Sequence, residues 1–202
     1  MVEDVVYFGL DFESNGTDPV NSRIIEVGVV VTDHTLENRI FTFESMVKDG
    51  DTAEVIQSIE KNPVLNRMHG SNGLLGDLYR MKNGELESVT MEELDRILYS
   101  MVKEHVDSDK KIVLAGSGVS HYDHNVIKAR MPLLSSLLTY YTKDIGHLRR
   151  AYYEAIGEDL IDVNDNKTHR ALQDIEDHMN EALAFRQFFV KAKLALSLVD
   201  LD

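Results

Sequence analysis

Residues 5–13 carry apolar side chains almost without interruption, the pattern of a strand covered on both faces. Turn chemistry follows at Asn15-Gly16 and Asp18-Pro19, and the Val- and Ile-rich run 24–32 predicts a second strand. A third strand, 39–47, comes after the turn around His34 to Asn38, and connections this short suit antiparallel neighbours. Beyond a polar segment at 48–51 the pattern changes to a helix over about 53–61, then to a Gly/Asn-containing loop at "MHGSNGL". Thr90 and Glu93 have the spacing of a capping box. They open a helix to about 105 with Met91, Leu94, Ile97, Leu98 and Met101 on one face. The apolar run 112–115 predicts a further strand closed by "GSG". Helices are expected at about 124–130, 133–138 and 146–156, and a last long one at about 169–192. A strand hairpin series followed by helix, strand and helices predicts an α/β fold, a mixed sheet with helices packed on it.

Two residues break the first strand's pattern. Side chains two apart on a strand share a face, so Asp11 and Glu13 are neighbours in an otherwise apolar element. Like charges placed together and buried are costly unless a cation or a hydrogen-bond network lies between them. A divalent ion held by carboxylates is the obvious offset, and it requires further acidic residues from other elements. The candidates lie in "SHYDHN", where Asp123 sits just before a helix, and in "THRALQDIED", with Asp174, Glu176 and Asp177. Each has an ordinary alternative: Asp123 as a helix N-cap, the others as solvated helix residues. His169 and Asp174 would lie about 140° apart on an ideal helix. If Thr168 caps that helix, His169 stands at its edge, where an imidazole can take a proton from water while Asp174 lies a turn further in. A different metal hydrolase, built on His121, Asp123 and His124, is a third option.

The chain has 202 residues, 43% of them hydrophobic, which predicts one domain spanning 1–202. The absence of cysteine excludes thiolate ligands and disulfides and leaves oxygen or imidazole donors, favouring magnesium or manganese. A net charge of −14 argues against a long, sequence-independent grip on duplex nucleic acid, but leaves room for a short substrate bound through a few phosphates. With no apolar run of roughly 20 residues and no signal-peptide pattern at the N-terminus, a cytoplasmic protein without a membrane partner is expected.

Taken in order, "DFESNGTDP", "RIIEVGVVVTD", "MHGSNGL", "YDHNVIKARMP" and "HRALQDI" resemble the successive motifs of the oligoribonuclease family, DEDD-type 3′-to-5′ exonucleases of the His subclass. The resemblance runs from about residue 5 to about residue 189. It implies a ribonuclease H-like fold with a mixed five-stranded sheet and helices on both faces. It also implies two divalent cations held by Asp11, Glu13, Asp123 and Asp174, and His169 as general base releasing nucleoside 5′-monophosphates from short or single-stranded RNA, with DNA as a further candidate substrate. Substrate contacts are expected at Asn15, Thr17 and His69. Tyr140 is expected to reach substrate across a homodimer interface, and Glu26 to be structural. Two positions that bracket the bases in the family, usually leucine and tryptophan, are Thr17 and Val64 here. The three that cap the 5′ phosphate, usually serine, arginine and serine, are Gly118, Tyr141 and Gly146. These departures imply a looser length preference. The competing expectation is a binding module of the same fold that performs no chemistry.

Overall fold

Near-continuous Val, Ile and Phe runs form the centre of one mixed sheet. In chain order the computed structural model, described over residues 4–161 and 168–199, runs β1 (Val5–Ser14), β2 (Ile24–Asp33), β3 (Arg39–Lys48), α1 (Thr52–Lys61), α2 (Pro63–Ser71), α3 (Leu74–Lys82) and β4 (Val89–Thr90). It continues α4 (Met91–His105), β5 (Lys111–Gly116), α5 (Asp123–Arg130), α6 (Pro132–Leu137), β6 (Leu138–Asp144), α7 (Ile145–Ile156) and α8 (Ala171–Val199). The strand order is β4-β3-β2-β1-β5-β6. β1, β2 and β3 pair antiparallel, whereas β5 joins β1, β6 joins β5 and β4 joins β3 in parallel.

The sheet therefore has six strands, one more than expected. β4 is two residues long, too short to show any hydrophobic period, and exists only because it pairs with Val47 and Lys48. A second correction concerns "MHGSNGL", which is not a loop but the end of α2 and the start of α3. Asn62 caps α2 ahead of Pro63 at its first turn, a strong start signal, yet α2 buries only His69 and so shows no apolar stripe. Only Asn72 and Gly73 interrupt the helices, with Gly73 at φ +84°. α4 begins as its sequence predicts, with Thr90 and Glu93 forming a reciprocal capping box.

One face of the sheet carries Phe8, Leu10, Phe12 and Val29 against α4, α5 and α6. The opposite face carries Val30 and Ala115 against Ile175, Met179 and Phe185 of α8 and Ile145 of α7. A third cluster seats α1 and α3 on Ile25 and Met46. Asp11 and Glu13 lie on the α8 face, because Phe12 and Leu10 take the other. α8 can come close there because Gly28, which pairs with Asp11, has no side chain. Among the described residues no helix is long and apolar enough to cross a membrane.

Candidate active site

β5 pairs with β1 only as far as Gly9 and Ala115, so the β5 side of β1 is open beyond that point. The Phe12 N–H, one of the donors left there, donates to Asp123 Oδ1 at 3.2 Å. Asp123 is the first residue of α5, one position inside its N-cap residue Tyr122, and its carboxylate accepts its own backbone N–H. Its carboxylate also joins α5 to the strand that carries Asp11 and Glu13. Burial pushes its carboxyl up to about 7, against the hydrogen bonds that stabilise the charged form.

Glu13 pairs across the strands with Glu26, a like-charge opposition that isolated strands avoid. Arg170 resolves it. Its Nε and Nη2 donate to Glu26 Oε1 at 2.9 and 2.6 Å, and Nη2 also reaches Asp77 at 3.1 Å. Glu26 Oε2 accepts the Ala171 N–H at 2.9 Å, so a carboxylate from β2 caps the long helix. The expected Thr168 cap is replaced: the Thr168 hydroxyl donates to Asp174 Oδ1 at 3.3 Å, and α8 starts at residue 171. Glu26, expected as structural, has that role.

The shorter helix leaves His169 outside it, at φ +48°, a left-handed conformation that costs a Cβ-bearing residue about 1–2 kcal/mol. There its ring meets Glu13 and Asp174: one ligating atom from each of the three lies within 4.8 Å of the others. Among the described residues this is the only such group of three or more histidine and acidic side chains, and the His121, Asp123, His124 cluster does not form one. Glu13, Asp123 and Asp174 are all buried, and Asp11 is half-buried one pleat behind Glu13. Glu176 and Asp177, the rivals of Asp174, are used elsewhere: Glu176 pairs with Arg39 at 2.6 Å and Asp177 accepts from Gln173 at 3.0 Å.

Burial raises the Glu13 carboxyl to about 8, with the charges of Asp174, Glu26 and Asp123 adding to the effect and Arg170 only partly opposing it. Hard carboxylate oxygens and one imidazole, set so that neighbouring carboxylates raise one another, suit a hard divalent ion. A proton held by Glu13 in the folded state but not in the unfolded one makes stability fall as pH rises. The loss spans about pH 4.5 to 8, at up to about 1.4 kcal/mol per pH unit. The melting midpoint in chelator is accordingly expected to drop across that window, and added manganese to raise it more at the alkaline end, where no proton competes. A scan with the larger manganese effect at acid pH would contradict this electrostatic account.

Beside Glu13 a cleft of about 600 Å³ is lined by Phe12, Ser14, Thr17, Leu65, Met68 and Tyr122, among others. Thr17 stands exposed at its edge, and Val64 points away, 72% exposed, leaving Leu65 and Met68 as the apolar wall. Asn15 lies in the turn with both amide atoms engaged: its Nδ2 donates to Ser58 Oγ at 2.8 Å and its Oδ1 accepts the Arg23 N–H at 2.7 Å. His69 is fully buried, with Nε2 3.2 Å from the Ser14 carbonyl, and burial lowers its pKa. Tyr140, on β6, is 90% exposed and packs edge-on against Tyr141, away from the cleft lining. The basic residues near these motifs divide: Arg170 is in the network above, Arg130 pairs with buried Asp49 at 2.6 Å, and Lys128 and Arg67 are exposed.

No protein-family model matches the chain. Curated proteins do: the probable oligoribonuclease of Dictyostelium discoideum is 27% identical over 184 residues, 88% of this chain and 86% of that protein. The oligoribonuclease of Sodalis glossinidius is 25% identical over 194 residues, 94% of this chain and 98% of that protein. Over most of its length the chain is similar to the oligoribonucleases. Among solved structures, exonuclease I of Methylocaldum szegediense superposes with a TM-score of 0.65 at 16% identity over 91% of this chain. Exonuclease I of E. coli in complex with a dT13 oligonucleotide gives 0.62 at 15%. Both place the sheet and its helices in the ribonuclease H-like class. This chain spans about two fifths of the exonuclease I length, 40% in each case.

Proposed function

We propose that this protein is a divalent-cation-dependent 3′-to-5′ exonuclease that removes nucleoside 5′-monophosphates from short or single-stranded RNA. The observation that carries the reading is the group of Glu13, Asp174 and His169 within 4.8 Å at the edge of an open cleft. Relatives named oligoribonuclease and fold neighbours named exonuclease I support it. Asp11, Glu13, Asp123 and Asp174 would hold two ions, magnesium or manganese. When bound, such ions neutralise the phosphate and acidify water. His169 accepts the proton of the attacking water on its imidazole, the side chain that most often serves as a general base. The cleft between Leu65 and Met68 on one side and Tyr122 on the other receives the 3′-terminal nucleoside. Thr17 lies at the rim of the cleft, and Asn15 and His69 reach substrate from the turn after Glu13 and from α2, where they bond to Ser58, Arg23 and Ser14. We assign Tyr140 to the contact with a second copy, and the cell compartment to the cytoplasm.

The test uses 5′-labelled RNAs of two, seven and about twenty nucleotides beside matching DNAs, with manganese present or chelated. Metal-dependent shortening from the 3′ end is expected. His169→Ala should lower kcat by about 10²- to 10⁴-fold with little change in the melting midpoint. Binding without turnover of any substrate would replace the enzyme reading with that of a binding module.

A further inference from the structure

His169 holds a conformation that its own sequence disfavours, and it does so outside the helix that follows. One side chain from a distant element holds its backbone: Asn72 Nδ2 donates to the His169 carbonyl. The other amide atom of Asn72 is also used. Its Oδ1 accepts the Leu74 N–H at 3.0 Å and so caps α3, while its own N–H closes α2 on the Met68 carbonyl at 3.2 Å. α2 also presents Leu65 and Met68 to the cleft. Through His69 it holds the carbonyl of Ser14, the residue next to Glu13. A ring nitrogen facing a carbonyl carries the hydrogen, so His69 donates from Nε2. One short helix thus touches the cleft wall, the strand bearing Glu13 and the backbone of His169.

We propose that Asn72 is a positioning residue for His169, and that α2 thereby ties the shape of the cleft to the placement of the general base. The inference rests on the reading of His169 as that base. Without the amide donor, the His169 backbone is free to leave the left-handed region, which swings the Cα–Cβ bond and takes the imidazole out of reach of Glu13 and Asp174. A misplacement of about 1 Å is enough to cost on the order of 10²-fold in rate.

Two substitutions separate this role from a structural one. Asn72→Ala removes both amide atoms. Asn72→Asp keeps the oxygen that caps Leu74 and replaces the donor to His169 with an acceptor oxygen, so it remains informative if the alanine variant does not fold. Each is measured alone and combined with His169→Ala, on RNA of seven nucleotides with manganese. The expected result is a fall in kcat of roughly 10- to 100-fold in both single variants, with KM changed by less than about threefold. In the His169→Ala background neither should lower the residual rate by more than about twofold, because the group being positioned is gone. Equal losses in both backgrounds, or an unchanged kcat in Asn72→Asp, would overturn the proposal while leaving the exonuclease reading intact. A wild-type protein inert on every substrate would remove that reading itself.

Discussion

Glu13→Gln is expected to stabilise the metal-free protein and to abolish its activity. Glu13 is only 8% exposed and faces Glu26 across the strands, with Asp174 and Asp123 near it. Arg170, the cation that opposes this, is already shared between Glu26 and Asp77. A carboxyl raised to about 8 is held protonated at pH 7 in the folded chain and ionised in the unfolded one, which subtracts from stability. A neutral amide of the same shape removes that cost, a gain of about 1–3 kcal/mol near neutral pH. It also removes a proposed ligand, and turnover should fall on the order of 10³-fold. A melting scan in chelator and in manganese checks both halves. The variant should melt higher than wild type in chelator and respond less to the metal. A variant that melts lower in chelator, or turns over at the wild-type rate, would mean that Glu13 is not the focus of the charge excess. Such opposed effects are what a site built for a cation, at the expense of the empty fold, requires.

The charge misfit at Asp11 and Glu13 was legible because a strand has a two-residue period, and two carboxylates on one face stand out against it. The choice among Asp174, Glu176 and Asp177 was not legible from spacing, since all three sit on one helix. Packing separates them: Asp174 is buried beside Glu13, whereas Glu176 and Asp177 find partners elsewhere. The strands β1, β2, β3 and β5 followed from their apolar runs. β6 carries no such run: it is an edge strand with four half-buried and two exposed residues. The start of α8 was misplaced by two residues because its cap comes from Glu26, 145 positions away from Ala171. Local caps can be read from neighbouring residues. A cap that crosses the sheet cannot, and neither can the Asn72 contact that holds His169.

Gly28→Ala is expected to damage stability and catalysis together, through the backbone and not through any functional group. A Cβ at residue 28 would lie 2.3 Å from the main-chain carbon of Ala171 and the nitrogen of Leu172, the first turn of α8. That turn cannot slide aside cheaply. The Ala171 N–H is held by Glu26, and Arg170 is held by both Glu26 and Asp77. The helix start must lift from the sheet, carrying Asp174 and His169 away from Glu13. Overpacking of this kind costs about 1–3 kcal/mol or more, and a shift of about 1 Å at the base and ligand should lower kcat about 10²-fold. Gly76→Ala is the matched control: it lies within α3, an added Cβ meets nothing within 4 Å, and alanine there should be neutral or stabilise by about 0.5–1 kcal/mol. If Gly28→Ala melts and turns over like wild type while Gly76→Ala behaves as expected, α8 has room to move. The placement of Asp174 and His169 would then depend on the Glu26, Arg170 and Asn72 contacts and not on the close approach of helix to sheet.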